Sequence, residues 1–124
     1  MKKKLVACLL AGLMLLGAAA LGDIGKLFPD TDERYRGADS LMLLDRVMEA
    51  LSEAGYRPVN ADVTIVAQKP KLRPYIDQMR VHLARHMGVD VSQVSVKATT
   101  SEGMGFEGEE KGMTAHAVCL IESI

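Results

Sequence analysis

The chain has 124 residues, with 15 Lys and Arg, 16 Asp and Glu, 3 His and 2 Cys, for a formal net charge of −1. That length suits one domain and argues against a multidomain enzyme. A composition of 48% hydrophobic and 25% charged residues excludes an intrinsically disordered chain. From Leu5 onward 12 cations face 16 anions, so the body lacks the clustered positive charge of a nucleic-acid-binding surface, and nucleic acid is not an expected partner. Aromatic residues are only 4% and Trp is absent. The core must then come from Ala, Val, Ile, Leu and the 8 Met, and a core that small favours association with other chains. Cys8 and Cys119 cannot make a disulfide scaffold, and each reads as a buried thiol in a reducing compartment or as nothing in particular.

In chain order, Met1–Gly22 opens with Lys2, Lys3 and Lys4, continues with an apolar run from Leu5 to Leu16 and ends in Ala18, Ala19 and Ala20. This is a signal-like pattern, too short for a membrane-spanning helix, which needs about 20 apolar residues. Gly22–Gly37 crowds Gly, Pro and Asp together and reads as a loop with several turns. Asp39 or Ser40 can cap a helix that runs to about Ala54, with Leu43, Leu44, Val47, Met48 and Leu51 on one face and Gly55 as its stop. Val59–Gln68 alternates Ala61, Val63, Ile65 and Ala67 against Asp62 and Thr64, which predicts a strand. Lys69–Pro74 is a basic loop, and Pro74 suits the first turn of a helix carrying Ile76, Met79, Leu83 and Met87 and ending at Gly88. Val94, Val96 and Ala98 mark a second strand, Thr99–Gly112 a loop, and Met113–Ile121 a last strand. Being apolar on both faces, that strand is expected to be well covered. The economical arrangement is an α/β (α+β) fold: a single sheet with helices packed on one face.

His82 and His86 lie at i,i+4 spacing, which suits a metal pair. No Glu follows His82 and Arg85 stands beside the pair, so a solvated helix face is the expected reading. His116 reads as a packed or interface residue, and Cys119, three residues on, points to the opposite face. Three loops carry the remaining chemistry. Asp23, Asp30 and Asp32, with Gly22 and Gly25, could meet sugar hydroxyls or a cation, or simply stabilise turns. Lys69, Lys71 and Arg73 follow a strand and could hold a phosphate by charge and loop amides, or form a solvated loop. Thr99, Thr100 and Glu102 follow another strand, at the mouth of a Gly-rich loop.

Four segments then appear together: LLGAAALGDIGKLFPDTD at Leu15–Asp32, GADS at Gly37–Ser40, DVTIVAQKPKL at Asp62–Leu72 and VKATTSEGMGF at Val96–Phe106. In order and spacing they resemble the 2-C-methyl-D-erythritol 2,4-cyclodiphosphate synthases of the non-mevalonate isoprenoid pathway. The resemblance implies a phosphorus–oxygen lyase that cyclises 4-diphosphocytidyl-2-C-methyl-D-erythritol 2-phosphate with release of CMP. It also implies a homotrimer with active sites between neighbouring subunits. By position, Asp23, Ile24 and Gly25 resemble the turn that meets the methylerythritol part. Phe28, Pro29, Asp30, Thr31 and Asp32 resemble the adjoining substrate-contacting segment. Ala67, Gln68, Lys69, Pro70, Lys71, Leu72 and Arg73 are similar to the loop that clasps the cytidine. Thr99, Thr100, Ser101 and Glu102 resemble the phosphate segment, in which Thr100 polarises phosphate oxygens and Glu102 binds a magnesium- or manganese-type ion. Phe106 resembles the residue lining a central channel, where Glu109 stands in place of the family's frequent Arg.

The same resemblance implies a divalent metal, with zinc held by an Asp-x-His pair and a further His. No such set is legible in this chain, so no zinc ligand is assigned, and impaired turnover is expected. The domain is read as residues 15–124, preceded by a leader of residues 1–14. Two alternatives stay open: a non-catalytic cytidine-nucleotide-binding module, and an exported or membrane-tethered remnant. The expected setting is cytoplasmic, because the substrate and CMP are cytoplasmic metabolites.

Overall fold

A computed structural model describes residues 11–27 and 40–124. Residues 11–18 form helix α1, followed by the short α2 (Ile24–Leu27) and by α3 (Ser40–Glu53). Then come β1 (Tyr56–Val66), a 3₁₀ turn at Arg73–Tyr75, α4 (Ile76–Met87), a second 3₁₀ turn at Val91–Gln93 and β2 (Val94–Thr99). The one-turn α5 (Gly105–Gly108) and β3 (Thr114–Ser123) complete the chain. The strands make one mixed sheet in the order β2-β1-β3. β1 and β2 run parallel across the α4 crossover, with Val63 opposite Val96, while β1 and β3 are antiparallel, with Val63 opposite Ala117.

One face of this sheet supplies the core. Ala61, Val63 and Ile65 of β1 and Val94 and Val96 of β2 are buried together with Leu44, Val47 and Leu51 of α3 and Met79, Leu83 and Met87 of α4. Ala11, Leu15 and Leu16 of α1 join the same cluster. The expected single sheet with helices on one face is therefore what forms, because each helix has one apolar stripe to hide and each strand one apolar parity. Gly88 ends α4 with a left-handed φ of 69°, and its N–H returns to the carbonyls of Ala84 and Arg85. The residues expected to cap α3 fall on Asp39, outside the described residues, and on Ser40.

The structure departs from the sequence expectations in four places. β1 begins at Tyr56 rather than Val59 and ends at Val66 rather than Gln68. A bulge between Pro58 and Asn60 breaks the alternation there. The bulged groups are satisfied locally, since Gln93 Nε2 donates to the Val59 carbonyl (2.8 Å) and Leu120 N–H to Asn60 Oδ1 (3.1 Å). The Gly22–Gly37 loop contains α2, and the Thr99–Gly112 loop contains α5. Finally, β3 is not covered on both faces. Ala115, Ala117, Cys119 and Ile121 pack toward the helices, but His116, Val118 and Leu120 face outward, with Val118 70% and Leu120 58% exposed. Apolar residues on both parities of a strand therefore did not imply cover on both faces within this chain.

Candidate functional site

Parallel pairing places the C-terminal ends of β1 and β2 side by side, with Val66 opposite Thr99 and Ala67 N–H donating to the Thr99 carbonyl (3.0 Å). The two connections that leave these strand ends therefore emerge together, which is where ligands settle in α/β sheets. Between them lies a cavity of about 260 Å³ lined by residues 67, 68 and 70–73 on one side and by Ala98, Thr99 and Thr100 on the other. It adjoins a second of about 420 Å³, which shares Arg73 and Ala98 and extends along α4 to Ile76, Asp77, Val96 and Lys97.

The charge at this mouth is unevenly spent. Lys69 Nζ lies 3.5 Å from Glu110, and Lys97 lies 3.1 Å from Asp62 across the open sheet face. Among the described residues Lys71 and Arg73 are exposed and enter no ion pair. Two cations thus remain available to an anion at the pocket rim. Leu72 is buried at the base of the loop, anchoring the side on which Lys71 and Arg73 stand. The Lys69–Pro70 bond is cis.

On the facing side the turn after β2 is built by its own hydroxyls. Glu102 N–H donates to Thr100 Oγ1 (3.2 Å), Thr99 Oγ1 donates to the Thr100 carbonyl (3.2 Å), and Ser101 Oγ donates to the Met104 carbonyl (2.5 Å). The Thr100 oxygen is occupied as an acceptor, which leaves its O–H proton to donate outward. Glu102 adopts a left-handed φ of 54° and is exposed, a conformation that costs energy for a residue with a Cβ and so marks a held turn. Phe106, on α5, is 51% exposed, with Gly112 beneath its ring.

Two of the three predicted loops are brought together. Asp23 and Gly25 line neither cavity, because their connection leaves α1 on the helix layer, where Leu21 and Leu27 pack against the core. Ile24 lies in α2. Phe28, Pro29, Asp30, Thr31 and Asp32 lie outside the described residues, as do residues 1–10 of the leader.

His82 and His86 do not form the expected solvated face. Both are half-buried, and His86 Nδ1 lies 2.6 Å from Asp45 Oδ1, tying α4 to α3. Among the described residues no group of three His, Cys, Asp or Glu could hold a metal ion. The described residues therefore do not form a zinc set, and Glu102 stands as an exposed carboxylate on the turn after β2. Cys119 faces away from His116 as expected, and burial raises its thiol above the usual range. The sequence reading missed Gly108 and Glu110, which shape the turn after β2. Their only signal was the glycine content of that segment.

Comparison with known proteins gives the setting for this geometry. The profile of the YgbB family matches residues 10–122. A 2-C-methyl-D-erythritol 2,4-cyclodiphosphate synthase of Thioalkalivibrio sulfidiphilus is 62% identical over 109 residues, covering 88% of this chain and 68% of that relative. The chain thus spans about two thirds of that relative's length. A solved 2C-methyl-D-erythritol-2,4-cyclodiphosphate synthase, described as a CDP-bound form, superposes with a TM-score of 0.84 at 33% identity, over 94% of this chain and 75% of that one. The bifunctional IspDF of Campylobacter jejuni superposes at 0.83 with 37% identity, over 89% of this chain and 30% of that one. By sequence and by fold, this chain belongs to the YgbB family, the 2-C-methyl-D-erythritol 2,4-cyclodiphosphate synthases.

Proposed function

We propose that the chain binds the cytidine diphosphate moiety of 4-diphosphocytidyl-2-C-methyl-D-erythritol 2-phosphate and supports its cyclisation, with impaired turnover. The observation that carries this reading is the cavity between the ends of β1 and β2. There the exposed Lys71 and Arg73 line the same cavity as Thr100, in a fold whose solved relative is described as CDP-bound.

In this reading a 2-phosphate oxygen attacks the β-phosphorus. A new P–O–P link closes the ring, and the bond from the β-phosphorus to the bridging oxygen breaks, releasing CMP. No protein nucleophile is needed, so the protein's work is alignment and charge neutralisation. Ala67, Gln68, Lys69, Pro70, Lys71, Leu72 and Arg73 hold the nucleotide. Thr99, Thr100 and Ser101 receive the diphosphate, with Thr100 donating to a phosphate oxygen. Asp23, Ile24, Gly25 and the segment from Phe28 to Asp32 meet the methylerythritol part, reached from a neighbouring subunit of a homotrimer whose channel Phe106 lines. A magnesium- or manganese-type ion on Glu102, carried in with the diphosphate, would supply charge neutralisation at the reacting phosphates.

The domain comprises residues 15–124, with a leader before it, in a cytoplasmic setting. Its buried Ala11 already belongs to the core, which supports packing of the leader's end against the domain. Among the described residues no helix is long and apolar enough to cross a membrane. The second reading, a cytidine-nucleotide-binding module without turnover, is favoured by the lack of any three-ligand metal cluster among the described residues. Titration with CDP and magnesium, followed by a turnover assay for CMP, separates the two. Saturable binding with slow CMP release supports the enzyme, and binding with none supports the module. No saturable binding up to millimolar CDP refutes both, and turnover at an ordinary enzyme rate refutes the impairment.

A further inference from the structure

The pocket is assembled from two connections that are adjacent in space and distant in sequence, and something must hold one against the other. Gly103 is gripped on two sides. Its N–H donates to Gln68 Oε1, 3.3 Å away and 35 residues earlier in the chain. On its other side, Gly108 presses against it so closely that a Cβ on Gly108 would fall 2.1 Å from the Gly103 carbonyl carbon and 2.6 Å from its Cα. Backbone cannot yield as a side chain's end can, so only glycine fits at 108. Gly103 itself has a φ of 80° and directly follows Glu102, whose N–H is bonded to Thr100. The grip on Gly103 is therefore transmitted along the turn to Glu102 and to Thr100, which lines the cavity.

The Ala67 N–H to Thr99 carbonyl bond (3.0 Å) joins the two connections where they leave the strands, but it does not reach the turn at residues 100–103. The Lys69–Glu110 pair spans 3.5 Å between side chains 72% and 49% exposed, where solvent screening leaves little energy. Thr114 Oγ1 donates to Glu107 Oε1 (3.0 Å), closing the far end of the segment.

We infer that Gln68 and Gly108 are positioning residues: together they clamp Gly103 and so aim Thr100 and Glu102 at the phosphates of a bound nucleotide. The inference rests on the nucleotide reading above, so its test includes a measurement without ligand. In Gln68→Met the side chain keeps its length and loses the acceptor. Amide exchange at Gly103 in the free protein then rises about fivefold, the scale of one hydrogen bond, while Tm stays close to that of the unaltered chain. In Gln68→Glu the acceptor oxygen is retained and protection of Gly103 returns. In Gly108→Ala the displaced turn weakens CDP–magnesium binding about tenfold or more, although residue 108 contributes no side chain to the cavity. Unchanged Gly103 exchange in Gln68→Met, or unaltered CDP affinity in a folded Gly108→Ala, overturns the inference. Loss of protection in Gln68→Met, in a protein that fails to bind CDP in its unaltered form, supports the clamp and refutes the nucleotide reading alone.

Discussion

At the scale of single residues, burial decides what matters for stability and hydrogen-bonding geometry decides what matters at the site. Leu83 is 1% exposed and Leu51 fully buried. Leu83→Ala is expected to cost about 2–5 kcal/mol, combining lost transfer energy and the cavity left behind. Arg46→Ala removes an exposed i,i+3 pair with Glu49 and is expected to cost less than about 0.5 kcal/mol. Urea unfolding of both variants checks the contrast. Thr100→Val keeps shape and removes a hydroxyl that lines the cavity, so on the proposed function CMP release should fall about a hundredfold with little change in Tm. Asp90 accepts from the hydroxyl and the N–H of Ser92, which hold its carboxyl below its ordinary value of 3.8. A depressed carboxylate stabilises the fold above its unfolded pKa, and that contribution is lost as pH falls through the folded value. Acid unfolding of Asp90→Asn should therefore be less steep below pH 3.8 than that of the unaltered protein.

At the scale of elements, the links between helices and the sheet edge are the informative features. His86 and Asp45 join α4 to α3 at 2.6 Å, with side chains 24% and 49% exposed. A double-mutant cycle with Asp45→Asn and His86→Gln should return a coupling of about 0.5–1 kcal/mol, and a value near zero would make the contact incidental. The free edge of β2 is capped by Arg80, whose Nε donates to the Val94 carbonyl (2.8 Å) and whose guanidinium reaches Val91 (3.1 Å), a cover for backbone that would otherwise invite pairing. Most of these elements were legible in the sequence. The four-residue rhythm of Met79, Leu83 and Met87 and the alternation of Ala61, Val63 and Ile65 each describe a single buried face. The start of β1 was not legible, because Pro58 and the bulge depend on Gln93 and Leu120, far along the chain. The Asp45–His86 contact was invisible for the same reason, since it joins residues 41 apart.

At the scale of the whole molecule, the sheet face opposite the described helices is the open energetic question. Val118 and Leu120 on β3 and Ile124 beyond it are 70%, 58% and 72% exposed, an apolar surface of the kind that associates. In the homotrimer proposed above, neighbours would cover this face. Val118→Asp, which burdens the face with charge and leaves the helix-side core untouched, should shift the assembly to monomer in native mass spectrometry. Retention of the unaltered protein's oligomeric state would show that the face serves no interface. Cys119 lies on the opposite parity, so its thiol should react slowly with a disulfide reagent in either state.

By itself the sequence determined the buried stripes of α3, α4 and β1, the class of fold and the family, because periodicity and local motifs are properties of contiguous chain, but not which face of β3 is covered. It also marked both connections that border the cavity, since Lys69–Arg73 and Thr99–Glu102 each follow a strand. Only the tertiary structure decided that these two connections meet while Asp23 and Gly25 stand apart. Only it, too, showed that Gly103 is held between Gln68 and Gly108. Parallel pairing of β1 with β2 brings distant segments to one edge, and that pairing is made by packing over the whole sheet rather than by any single stretch of residues.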